Sequence, residues 1–173
     1  MKKLSALVAV AFLSLSFVHA HPQIVMNDRM DPVKSKIVPT DRYEPIAANA
    51  LNSKVLRNFF RAYKNASGAE WMVLKDKSVM CRFYMDDVLY RAFYTPGGLW
   101  LQTASGYGPD KLDGTVKEMI KSSYRDYTIS YVNQLDLPRN KTIYLVEVQD
   151  EKSIKKIRVA DDEMDVIQEF EKN

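Results

Sequence analysis

A five-position pattern occurs twice in this chain at a constant offset of 61 residues. Leu51, Asn52, Val55, Phe59 and Tyr63 recur as Leu112, Asp113, Val116, Ile120 and Tyr124. In each copy an Asn or Asp precedes apolar residues at helical spacing, the signature of a capped amphipathic helix. Each copy is followed by short alternating segments separated by turn residues, which read as antiparallel strands. The pattern therefore predicts an α+β fold: a tandem repeat of one helix plus a four-stranded antiparallel meander, with the helices on one face of the sheet.

The first helix is expected over about Asn52 to Lys64, followed by strands near 70–75, 78–85, 88–95 and 99–104. Asp86-Asp87 and Thr95-Pro96-Gly97-Gly98 supply tight turns; in the latter, proline at i+1 and glycine at i+2 suit a type II turn. The second helix is capped by Asp113 and runs to about Ser123; Thr115 and Glu118 offer a competing capping box. Strands near 127–134, 141–148, 153–159 and 164–170 follow. The last is ambiguous locally, since Glu163 to Lys172 also suits a helix, and only the symmetry of the repeat favours a strand. The expected organisation is residues 1–20, 21–47, 48–104 and 105–173: signal peptide, extended leader, first repeat and second repeat.

The leading segment reads as a targeting signal. Lys2 and Lys3 precede an apolar run from Leu4 to Val18, and Val18-His19-Ala20 fits a small-x-small cleavage site. The run is short for a membrane span, which takes roughly 20 apolar residues. The expectation is a periplasmic or secreted protein cleaved after Ala20, with no stable membrane anchor. Residues 21–45 hold four of the seven prolines and read as extended chain, with a short strand expected near Ile24 to Met26 or Ile37 to Val38. Cleavage lowers the formal charge from +3 to +1, which leaves no electrostatic footprint for nucleic acid. The single cysteine, Cys81, cannot form an internal disulfide; it lies between Val79 and Phe83 in an alternating strand and reads as buried filler.

Turn lengths give a register. A two-residue Asp86-Asp87 loop pairs Met85 with Val88, Phe83 with Tyr90, Arg82 with Arg91 and Met80 with Phe93. A two-residue Pro96-Gly97 loop pairs Tyr94 with Leu99 and Phe93 with Trp100. Directly paired residues share a face. One face then holds Val79, Cys81, Phe83, Met85, Val88, Tyr90, Ala92, Tyr94, Leu99 and Leu101, and reads as core. The other holds Met80, Arg82, Tyr84, Leu89, Arg91, Phe93, Trp100 and Gln102. Aromatic, Met and Arg residues are enriched at interface hot spots, whereas a solvated face needs only Lys, Glu, Thr and Ser. Met80, Arg82, Tyr84, Arg91, Phe93 and Trp100 are the candidate partner-binding residues. The competing reading is that the leader or the second half covers this face, or that a bulge swaps residues between faces.

Catalytic chemistry finds no constellation. A nucleophilic triad needs a base such as histidine, and after cleavage the only histidine is His21 at the N-terminus. No set of His, Cys or carboxylates has zinc-ligand spacing. Asp86-Asp87 and Asp161-Asp162-Glu163 lie where hairpin turns favour Asp for backbone reasons. No metal, cofactor or enzymatic activity is expected.

The order of a helix, Trp71, a meander with Tyr90-Arg91-Ala92-Phe93-Tyr94, Gly97-Gly98-Leu99-Trp100, and then Leu112 with a helix ending Tyr124-Arg125-Asp126-Tyr127-Thr128-Ile129 resembles exported PepSY-like domains. These are similar in architecture to the beta-lactamase-inhibitor protein and occur in Bacteroidetes-type bacteria. The resemblance covers roughly residues 48–170. It implies a tandem helix-plus-four-strand fold whose concave sheet grips another exported protein or peptide, as a protein- or peptidase-inhibitor-like module. The alternative is a periplasmic carrier of a small apolar ligand, held in a cavity between sheet and helices.

Overall fold

The structure is a computed structural model that describes residues 43–172. The expected signal peptide, His21 and the strand expected near 24–26 or 37–38 lie outside the described residues.

Among these residues nine strands form one sheet: β1 (Tyr43–Pro45), β2 (Ser67–Leu74), β3 (Val79–Met85), β4 (Val88–Tyr94), β5 (Trp100–Tyr107), β6 (Thr128–Leu137), β7 (Lys141–Gln149), β8 (Ser153–Ala160) and β9 (Glu163–Glu171). Each strand pairs antiparallel with its neighbour in sequence, so the spatial order is β1 through β9 without a crossover. Two ten-residue helices, α1 (Ser53–Ala62) and α2 (Gly114–Ser123), precede β2 and β6.

The helix starts follow from their caps. Asn52 accepts a hydrogen bond from the Lys54 amide at 2.9 Å, and Asp113 accepts from the amides of Thr115 and Val116 at 2.9 and 3.3 Å. Each cap satisfies amides that the first helical turn leaves without a carbonyl. Val55 and Phe59 of α1 pack with Trp71, Val79, Cys81, Phe83, Ala92 and Tyr94. Val116 and Ile120 of α2 pack with Ile129, Val132, Val146, Val148, Ile157 and Val159. The row Phe83, Tyr90, Ser105, Gln134, Tyr144 and Val159 is paired strand to strand, so both clusters lie on the same side of the sheet. Between them that row turns polar. Tyr107 donates to Gln134, Gln134 donates to Asp136 at 2.8 Å, and the Thr142 hydroxyl donates to Asp136 at 3.1 Å.

The expected α+β tandem repeat of helix-plus-meander units is overturned. The described chain is mostly one continuous nine-stranded antiparallel sheet with only two helices, and it crosses the expected unit boundary. At that boundary β5 and β6 pair over five positions, from Thr103 with Asp136 to Tyr107 with Val132. An unpaired edge leaves amides and carbonyls without partners; α2, about 15 Å long at 1.5 Å per residue, returns the chain beside β5, where those groups bond instead. The segment expected to be leader contributes β1, and a 3-10 turn at Ala48–Ala50 lies at the start of what was expected as the first repeat. The ambiguous 164–170 segment is strand.

A candidate binding face opposite the helices

The β3–β4 hairpin places most of the predicted residues. Asp86 and Asp87 both hold positive φ (48° and 61°), as a two-residue hairpin turn requires. The register is the expected one: Met85 faces Val88, Arg82 faces Arg91 and Met80 faces Phe93. Met80, Arg82, Tyr84, Arg91 and Phe93 therefore share the side away from both helices. Met80 and Phe93 are buried there, at 5% and 8% exposure, whereas Tyr84 is 42% exposed. Arg82 forms an ion pair with Glu70 of β2 at 3.7 Å. Among the described residues Arg91 has no ion pair; burial raises the Tyr131 pKa, and the Arg91 charge acts against that rise.

Trp100 departs from the prediction. The loop after β4 has three residues, not two. Gly98 donates its amide to the Thr95 carbonyl, the Thr95 amide bonds the Leu99 carbonyl, and the positive φ (91°) falls on Gly98 and not on Gly97. Tyr94 consequently pairs with Trp100. That puts Trp100 on the helix side, against the α1 core, where its Nε1 donates to the buried Thr103 hydroxyl at 2.9 Å. The same hydroxyl bonds the Tyr63 hydroxyl. A register shift at Phe93/Tyr94 then pairs Phe93 with Gln102, leaving Leu101 as the extra residue. Leu99 and Leu101, expected in the core, are exposed (67% and 38%).

The structure adds residues to this face that sequence reasoning missed. Gln102, Ala104 and Gly106 of β5 pair with Phe93, Arg91 and Leu89. Tyr131 of β6 lies over them: a Cβ built on Gly106 would stand 2.1 Å from the Tyr131 hydroxyl, so the absence of a side chain makes the space Tyr131 occupies. The β5–β6 pairing that brings Tyr131 here is non-local, and the Gly106-Tyr107-Gly108 run was its only available signal.

Other chemistry is sparse. Cys81 is fully buried, and desolvation pushes its thiol pKa up to about 12. Among the described residues no group of three His, Cys, Asp or Glu is placed to hold a metal, and no helix is long and apolar enough to cross a membrane. A hollow of about 700 Å³ is lined by Asp126, Thr128, Gln149, Asp150, Glu151, Lys152 and Lys172.

This arrangement has solved counterparts. A DUF2874 family protein from Bacteroides ovatus superposes with a TM-score of 0.54 at 17% identity, covering 70% of this chain and 87% of its own. A BLIP-like protein from Bacteroides fragilis gives 0.54 at 18% identity, covering 70% and 86%. A protein from Bacteroides eggerthii, described provisionally as periplasmic, gives 0.51 at 17% identity, covering 70% and 88%. No family model and no curated protein matches the sequence. The likeness is one of fold: this chain is built like BLIP-like and DUF2874 proteins of Bacteroides, and none of these three is described as a PepSY domain.

Proposed function

We propose that this chain is an exported, non-catalytic binding module, of the PepSY-like and beta-lactamase-inhibitor-like kind, that holds another exported protein or peptide on the sheet face opposite α1 and α2. The observation that carries the reading is the cross-strand Arg82–Arg91 pair beside Tyr84 and Tyr131. Two guanidinium groups directly opposite one another repel, and only Arg82 has a carboxylate partner among the described residues. An anionic or aromatic group from a partner would relieve that repulsion. Met80 and Phe93 form the apolar floor, while Trp100, on the other side, supports the sheet. Export rests on the signal-like residues 1–20, with cleavage after Ala20, and on the fold it shares with a protein provisionally described as periplasmic. An inhibitory role rests on the fold shared with a BLIP-like protein, which is analogy.

The carrier alternative has less support. A carrier needs an apolar cavity with a few convergent polar groups; here the space beneath the helices is filled by Val55, Phe59 and Ile120 at zero exposure, and the described hollow is lined by charged residues, Thr128 and Gln149.

The test is capture from periplasmic extract with wild-type protein and an Arg82→Ala/Arg91→Ala variant, followed by binding measurements on the purified partner. The variant should lose at least tenfold in affinity, about 1.4 kcal/mol. Equal recovery of every partner by both proteins would exclude this face, and recovery of an apolar small molecule with no protein would favour the carrier.

A further inference from the structure

The two edges of the sheet are unlike. β1 is three residues long and ends in Pro45, two devices that blunt an edge against further pairing. β9 is nine residues long, contains no proline, and pairs only with β8 among the described residues. Its outward backbone groups can be assigned. The Asp161-Asp162 loop holds both residues at positive φ (50° and 62°), so the flanking Ala160–Glu163 pair is hydrogen-bonded. Met164 and Val166 then turn their amides and carbonyls outward. Beyond the register shift at Lys156/Ile157, the Lys172 amide bonds the Lys152 carbonyl inward, so Glu169 and Glu171 present theirs outward.

The side chains along this edge select a partner. Val166, Ile167 and Phe170 are 43–50% exposed. Glu163, Asp165, Glu169 and Glu171 give the strand four acids and no base. Arg158 pairs with Asp165 at 3.3 Å and Lys155 pairs with Glu169, but Glu163 and Glu171 have no ion pair among the described residues. A second copy adding through β9 would bring acid against acid, which is destabilising.

We propose that the β9 edge accepts an extended basic peptide segment by strand addition, as an interaction surface separate from the Arg82–Arg91 face. Main-chain hydrogen bonds to Met164, Val166, Glu169 and Glu171 supply the pairing. Apolar residues of the partner lie along one face, beside Met164 and Val166, and its Lys or Arg side chains along the other, beside Glu163 and Asp165.

The test uses the full chain and a peptide of about ten residues alternating Lys and Val, matched to the strand's length. Titration by fluorescence anisotropy should show binding that weakens by about tenfold between low salt and about 0.5 M salt, because the exposed charges are screened. An alternating Glu-Val peptide and a Lys-Val peptide N-methylated at alternate residues should each bind at least tenfold more weakly. An Ile167→Lys/Phe170→Lys variant, altered only at exposed positions, should bind at least tenfold more weakly while keeping its circular dichroism spectrum and melting temperature. Equal binding by the variant, or by the N-methylated peptide, would overturn the proposal, as would chemical-shift changes confined to β3 and β4. Dimerisation of the protein through β9 without peptide would also overturn it.

Discussion

Gly98→Ala is the sharpest probe of how the β4–β5 loop and α1 are joined. Gly98 sits at φ +91°, where an L side chain costs about 1 kcal/mol. A Cβ there would lie 2.7 Å from Lys54 Cβ and 2.9 Å from both the Lys54 carbonyl carbon and the Val55 nitrogen. Two of those three atoms are backbone of the first turn of α1, so the helix must move. Restoring ordinary contact requires a displacement of roughly 0.5–1 Å, a gap that forfeits a quarter to a half of each affected dispersion contact. Val55 and Phe59, both fully buried, lie on the moving element, and the Asn58 Nδ2 to Gly98 carbonyl bond of 2.8 Å is strained with them. Backbone strain and lost packing together predict destabilisation of about 2–4 kcal/mol. Gly97→Ala is the control: its φ is not positive and its nearest contact is 3.8 Å, so its effect should stay within about 0.5 kcal/mol. Urea unfolding followed by the fluorescence of Trp71 and Trp100 measures both. Equal midpoints for the two variants would refute the argument that Gly98 sets the loop against the helix.

Further outcomes follow from the same contacts. Arg91→Ala should change stability by less than about 0.5 kcal/mol, because it removes a like-charge neighbour of Arg82 and no ion pair among the described residues; a loss above about 2 kcal/mol in thermal unfolding would mean that Arg91 is structural. The Cys81 thiol, with its pKa near 12 and no exposure, should react with a thiol reagent at pH 8 only as fast as the protein unfolds; rapid stoichiometric labelling of native protein would contradict its burial. Burial raises the pKa of Tyr63, Tyr90, Tyr94, Tyr107, Tyr131 and Tyr144 above 10. Above pH 10 the unfolded chain releases phenolic protons that the folded chain keeps, so this stability is present below pH 10 and declines as pH rises beyond it. Denaturant midpoints between pH 8 and 11 measure the decline, and a flat profile would contradict it.

What could be read ahead of the structure was what local chemistry decides. Asn52 and Asp113 are caps because a short polar side chain meets the free amides of the next turn, and both were legible at their positions. The register of β3 with β4 was legible because a two-residue loop leaves one pairing open to its flanking residues. The Pro96-Gly97-Gly98 loop was not. Either glycine suits a positive φ, and the choice rests on how Gly98 packs against α1, some 40 residues upstream. That single difference moved Trp100 to the opposite side of the sheet, since side chains alternate faces with every residue.

The sequence by itself determined the two capped helices, the hairpins whose turn residues admit one loop length, and the buried place of Cys81. Each depends on interactions within a few residues or on strict alternation. Only the tertiary structure decided that one nine-stranded sheet stands in place of the expected repeats, that Tyr131 joins Arg91, and that acidic β9 pairs only with β8 among the described residues. Those depend on which strand lies beside which across a helix or a bulge, and no spacing along the chain encodes that choice.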